Sequence, residues 1–164
     1  MDIIPYCEYV PGLLSRIIEM QAKFYHRFYN FGLAYEIKLA NELADFLKHY
    51  NPQKDVLLYA VSEEEIIGSI TIKGINDDCE QAQLIWYIMD EDFIGYGVGG
   101  KLIQKALDFC KEAHYQKIFL WTFKGLNLAE NLYLKNGFSL KAEKENHEWG
   151  TLLVEQYYEK ILLP

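Results

Sequence analysis

Apolar positions along the chain follow two periods, and the change from one to the other organises it. Ile3 to Tyr6 reads as a short strand. Pro11-Gly12 then opens a run through Phe24, with Leu13, Leu14, Ile17, Ile18 and Phe24 at helical spacing. The segment HRFYNFGLAYE breaks at Asn30 to Gly32. A second helix follows from Glu36 to His49, with Leu39, Leu43, Phe46 and Leu47 on one face, and Asn51-Pro52 ends it.

The period then shortens. VLLYAV (Val56 to Val61) is a strand, and the EEE before IIGSITI marks a hairpin turn. Ile66 to Ile75 is a β-branched run bounded by Asn76-Asp77-Asp78. AQLIWYIM (Ala82 to Met89) is apolar on both faces, the mark of a central, buried strand. Gly99 to His114 is an amphipathic helix with Leu102, Ile103, Ala106, Leu107, Phe109 and Cys110 inward. IFLWT (Ile118 to Thr122) is another buried strand. Leu126 to Asn136 is a helix, with Gly137 where a left-handed C-terminal cap belongs. Two further strands, Phe138 to Glu145 and Leu152 to Ile161, close the order, although the last is as compatible with helix on propensity alone. The order β-α-α-β-β-β-α-β-α-β-β predicts a mixed α/β (α+β) fold with a mostly antiparallel sheet.

Without repeats or linkers, the 164 residues read as one domain, 1–164. The 51% hydrophobic and 15% aromatic fractions suit a well-packed core. A net charge of −8 argues against nucleic acid as partner. No apolar run approaches the ~20 residues of a membrane span, and MDIIPYCEYV carries no basic start or apolar core of a signal peptide. Cys7, Cys79 and Cys110, an odd and widely spaced set, point to a reducing cytoplasm rather than to a disulfide framework. The scattered histidines His26, His49, His114 and His147 leave no metal site in the sequence.

The chemistry concentrates in IGYGVGGKLI (Ile94 to Ile103). By letter it fits two phosphate patterns. As G-x-G-x-x-G it fails: five residues, DEDFI, separate the glycines from the strand end at Met89, and the stretch about 20 residues on, YQKIFLWTFK, holds no acid. As G-x-x-x-x-G-K it fails because Leu102 stands where a Mg²⁺-binding Ser or Thr is needed. What survives is a glycine-rich turn into a helix N-terminus, whose unpaired N–H groups and dipole favour a diphosphate without a metal.

Two segments then carry a resemblance. IMDEDFIGYGVGGKLI (Ile88 to Ile103) resembles the acetyl-CoA-binding motif of the GNAT N-acetyltransferase superfamily, and LYLKNGF (Leu132 to Phe138) resembles its second motif. They flank the strand IFLWT in the family's order, and the element order matches over nearly the whole chain. WTF, LY..NGF and WGTLLVEQ (Trp149 to Gln156) resemble the acetyltransferase half of bacterial proteins that fuse a MarR-type domain to a GNAT domain, and this chain has no such extra domain. The sequence departs from the family pattern in two places. The family's Arg or Gln is Ile94, and its helix-opening Asn is Leu126, with Asn127 one step on.

The resemblance implies acetyl transfer from acetyl-CoA, as co-substrate, to the primary amine of a small molecule or peptide. It implies strands splayed beyond Met89 and Thr122 around the pantetheine arm. Ile88 and Met89 would hold that arm, with the Ile88 N–H on the developing oxyanion. Gly95, Tyr96, Gly97, Val98, Gly99 and Gly100 would cradle the diphosphate, joined by Lys101 and Asn127. Tyr133 would be the general acid, since a phenol with a reference pKa of about 10 stays protonated at neutral pH. Glu36 or Glu80 would be the base. Tyr25, His26, Trp86 and Trp149 would line the acceptor pocket. A non-catalytic acyl-CoA sensor is the alternative, and a homodimer through the last strand is left open.

Overall fold

The structure is a computed structural model that describes residues 1–75 and 80–162. Seven strands form one sheet: β1 (Asp2–Pro5), β2 (Val56–Ser62), β3 (Glu65–Gly74), β4 (Gln81–Met89), β5 (Lys117–Phe123), β6 (Ser139–Asn146) and β7 (Leu153–Ile161). Their spatial order is β1-β2-β3-β4-β5-β7-β6. Every pairing is antiparallel except β4 with β5. The last segment is therefore a strand, and it inserts between β5 and β6. Its partners on both sides decide what propensity left open. Cys79 and the turn Asn76-Asp77-Asp78 lie outside the described residues.

Four helices pack on the two faces: α1 (Leu13–Tyr29), α2 (Leu33–Lys48), α3 (Val98–Glu112) and α4 (Asn127–Lys135). One face buries Leu13 and Ile17 of α1 and Leu43 and Phe46 of α2 on Leu57 and Tyr59 of β2. The other buries Leu102, Ile103, Ala106 and Cys110 of α3 on Ile67, Ile70 and Ile72 of β3 and Ile118 and Leu120 of β5. The near-continuous buried runs of β2 and β3 supply both faces at once, as a central sheet requires. Among the described residues no helix is long and apolar enough to cross a membrane.

Several boundaries move. The first helix runs past Phe24 to Tyr29 and stops where Asn30 turns left-handed, its N–H donating to the His26 carbonyl. The second starts at Leu33, three residues before Glu36. The third starts at Val98, so Gly99 and Gly100 lie in its first turn. Gly137 does adopt φ 88° after α4. The strand expected to be buried at Ile118–Thr122 is covered on one side only. Trp121 is 42% exposed, because the apolar cover of α1 and α2 is confined to β2–β4.

Candidate functional site

The site begins with a fault in the sheet. From Ser69 to Thr71 β3 advances two residues, whereas its partners on β4, Ile88 and Ile85, are three apart. The extra residue is a bulge, and Trp86 takes a left-handed φ of 56° within it. A bulge bends its strand and increases the local twist. On the other side β4 pairs with β5 only through Gln81, Ala82 and Gln83, opposite Lys117, Ile118 and Phe119. Beyond that the two parallel strands diverge, and their C-terminal halves leave a gap through the sheet.

Ladder geometry decides which backbone group looks into the gap. N–H groups alternate sides along a strand. The Asp90 N–H donates to the Ile67 carbonyl at 2.7 Å, toward β3. The Ile88 N–H is therefore also on the β3 side, and the Met89 N–H points into the gap. The oxyanion donor assigned by resemblance to Ile88 is better placed on Met89.

Just past the gap lies the glycine loop. Gly95 and Gly97 have φ of 96° and 79°, a backbone that L side chains avoid. Gly97 caps α3, and among the described residues no side chain satisfies the first N–H groups of that helix. The Val98, Gly99 and Gly100 amides are thus open donors at the positive end of a 15-residue helix. At Gly100 an added Cβ would meet nothing within 4 Å, so the cradle is open there. Gly99 has another role. A Cβ there would collide with the Tyr87 hydroxyl, which the bulged strand lifts against the first turn of α3.

On the same face, α4 presents Tyr133, 6% exposed. Its ring packs on Tyr87, Phe138 and Tyr158 at centroid distances of 6.4, 6.1 and 6.3 Å. Its hydroxyl has no hydrogen-bond partner among the described residues. Burial first, and then the Tyr25 and Tyr87 phenols, push its pKa well above the ordinary phenol range. A buried ring whose unpartnered O–H opens onto the cavity and keeps its proton is what donation to a leaving group needs.

The opposite face supplies aromatic walls. Tyr25, Tyr29 and Phe31 pack with Tyr35 and Phe123, and Trp149 closes on Phe31 and Tyr35 at 5.7 and 5.5 Å. The α1 helix is fixed over the end of β4 by Arg16. Its guanidinium donates to Asp90 at 2.6 Å and to the Ile66 carbonyl at 2.9 Å. Arg27 pairs with Glu91 at 2.5 Å, so two of the three carboxylates beside the glycine loop are neutralised from α1.

One cavity of about 580 Å³ runs through the gap and joins these parts. It brings together Tyr25, Trp86, Ile88, Met89, Gly95, Gly97, Val98, Gly99, Gly100, Asn127 and Tyr133 of the residues expected from sequence. Tyr96, Lys101, Glu36 and Trp149 do not line it. Tyr96 is 66% exposed, and Lys101 and Glu36 face solvent. Trp149 stands behind Phe31 and Tyr35 instead. His26 is exposed, with its ring on the Phe31 carbonyl. Glu80 precedes β4, at the opposite end of a nine-residue strand from Met89 and so roughly 30 Å of chain from it. The sequence reading missed Gln21, Phe24, Phe28 and Tyr35, together with Trp121 and Thr122. Gln21, Phe24, Tyr25 and Phe28 recur at i, i+3, i+4 and i+7, so the stripe was visible once α1 is carried past Phe24.

Comparison with known proteins agrees with this arrangement. Residues 15–138 match the acetyltransferase (GNAT) family, and the chain belongs to that family. Human N-acetyltransferase 8B is 25% identical over 122 residues, 72% of this chain. Those residues span 54% of that protein, so the chain covers about half the length of the curated relative it matches. A ribosomal-protein-alanine N-acetyltransferase from Brucella melitensis superposes with a TM-score of 0.79 at 15% identity, over 99% of this chain and 100% of the other. The structure of yncA from Salmonella typhimurium with its cofactor acetyl-CoA gives 0.79 at 12% identity, over 100% and 96%. At these identities the two structures speak for the fold alone.

Proposed function

We propose that the chain is an acetyl-CoA-dependent N-acetyltransferase acting on a primary amine by direct attack on the thioester. The observation that carries this reading is the gap between β4 and β5. There a backbone N–H, a glycine-capped helix N-terminus and an unpartnered phenol converge on one cavity. The donor set fits the co-substrate: open amides at Val98, Gly99 and Gly100 suit a diphosphate, and Gly100 leaves it room.

Acetyl-CoA supplies an activated acyl carbon, a thioester whose C–S bond breaks as the amine nitrogen forms the C–N bond. The chain does the rest. Gly95, Gly97 and the start of α3 bind the diphosphate, with Asn127 at the rim. The Met89 N–H faces the developing negative oxygen, and Ile88 forms the wall beside it. Tyr133 holds a proton at its Oη and gives it to the departing sulfur. Solvent takes the surplus proton from the amine and returns one to the phenol.

No Asp, Glu or His lines the cavity among the described residues, and Glu36 faces away from it. The amine therefore arrives neutral, its proton already lost to water, and no side chain serves as base. The same lack of a base favours the second reading, a non-catalytic acyl-CoA sensor. Calorimetric titration with acetyl-CoA, then CoA release with an amine panel, separates the two. Micromolar binding with amine-dependent release supports the enzyme. Binding without release supports the sensor, and no binding removes both.

A further inference from the structure

Gln21 is 2% exposed, yet its carboxamide makes no hydrogen bond with any described residue and it lines the cavity. Its stem is buried, while the amide atoms themselves open onto the cavity, where water or a ligand can complete them. Arg16 pins the N-terminal half of α1 over the end of β4, and Gln21 is the first polar residue after that anchor to line the cavity. It therefore stands near the reacting end. Phe24, Tyr25 and Phe28 follow on the same helix face, and Tyr35 and Trp86 also line the cavity.

The charge inventory narrows the ligand further. The cavity is lined by no Asp, Glu, Lys, Arg or His among the described residues. A second ammonium would lack a carboxylate there, and an amino acid's carboxylate would lack a cation. Burying either charge unpaired costs several kcal/mol. Rings and alkyl groups, by contrast, gain from aromatic walls.

Resting on the acetyl-transfer reading above, we propose that the acceptor is a primary monoamine on an apolar, ring-bearing body, its N–H held by the Gln21 carboxamide oxygen and its ring by Phe24, Tyr25 and Phe28. The amide oxygen orients the nitrogen lone pair toward the acyl carbon, and the aromatic stripe selects the body.

The test compares 2-phenylethylamine with spermidine, alanine and kanamycin as acceptors, with acetyl-CoA binding measured separately on the same protein. The expected result is a kcat/KM at least tenfold higher for 2-phenylethylamine. Q21L raises its KM at least tenfold and leaves the acetyl-CoA Kd within twofold. Q21E, which keeps the shape and adds the missing carboxylate, moves the preference toward spermidine by at least tenfold. Preference of the native protein for spermidine, alanine or kanamycin overturns the proposal, as does no release with any amine while acetyl-CoA binds. So does a full set of unchanged constants in both variants. Absence of acetyl-CoA binding instead overturns the transfer reading on which the proposal rests.

Discussion

The cavity has two halves made of different material. On the α3/α4 side it is built from backbone: the Met89 N–H, the turn at Gly95 and Gly97, and the first amides of α3. On the α1/α2 side it is built from side chains, a stripe of rings together with Gln21. In the proposed function, backbone geometry would recognise what every substrate pair has in common, a diphosphate and a thioester, and side chains what differs, the amine. One half is thus set by a few glycines at fixed spacing, and the other by which residues occupy a helix face. The bulge at Trp86 joins them, since the same distortion opens the gap for one and points an indole into the other.

The sharpest way to break the division is at Tyr133, where the halves meet. Tyr133→Phe keeps the ring packing and removes the proton. The expected effect is a kcat lowered about a hundredfold or more, with the acetyl-CoA Kd and the melting temperature nearly unchanged. A variant that keeps its kcat would move the acid elsewhere. The next effect in size is at Gly99. Gly99→Ala places a methyl group on the Tyr87 hydroxyl. Overpacking of this kind costs about 1–3 kcal/mol of folding stability, and the first turn of α3 must shift to relieve it, which displaces the amides proposed to bind the diphosphate and is expected to weaken acetyl-CoA binding by about tenfold. The amine-side aromatic stripe is untouched. Tyr87→Phe in the same chain removes the clash and restores binding. If Gly99→Ala binds normally, or if the second substitution rescues nothing, the contact between bulge and helix does not shape the cradle.

The two halves were unequally legible before the structure, for the same physical reason. A left-handed φ leaves a glycine in the sequence, so Gly95, Gly97 and Gly137 mark their turns. The bulge leaves no such mark, because Trp86 takes its φ without being glycine. The insertion of β7 between β5 and β6 is also silent, since strand order depends on partners far along the chain. Glu36 was a reasonable base by position, but its helix begins three residues earlier and turns that carboxylate to solvent. Gln21 looked like an ordinary polar residue on an apolar helix. Its meaning depends on a cavity that only the splayed strands create.

A smaller effect is expected at the joint that holds the side-chain half in place. Arg16→Met removes the ion pair to Asp90 and the hydrogen bond to Ile66, both partly buried. The cost to folding is about 1–2 kcal/mol, between an exposed pair and a buried one. If α1 is the adjustable wall, the KM for the amine rises several-fold while the acetyl-CoA Kd hardly moves. An equal loss on both ligands would mean that the halves move as one body. Denaturant melts beside the two titrations decide the matter.

The mildest prediction concerns alkaline pH, where the halves share a chemistry. Burial raises the phenols of Tyr25 and Tyr35 on one side and of Tyr133 on the other, and pushes Tyr87 up to about 12. In the unfolded chain each ionises near its ordinary value of about 10. A folded pKa above the unfolded one means that the neutral phenol favours the native state. That contribution is complete below pH 10 and is lost as the pH rises toward 12. The melting temperature should therefore hold level from pH 8 to about 10 and fall from there to 12. Tyr87→Phe, which has no hydroxyl to ionise, should soften the fall. Over the level range the rate should track the acceptor's own deprotonation, because among the described residues the cavity lining holds no carboxylate or imidazole to add an inflection. Glu42, which faces Tyr35 from α2, lies within reach of Lys38 rather than in the lining. An inflection that stays fixed when the acceptor is exchanged for a less basic amine would reveal a protein base, and the side-chain half would then do more than select.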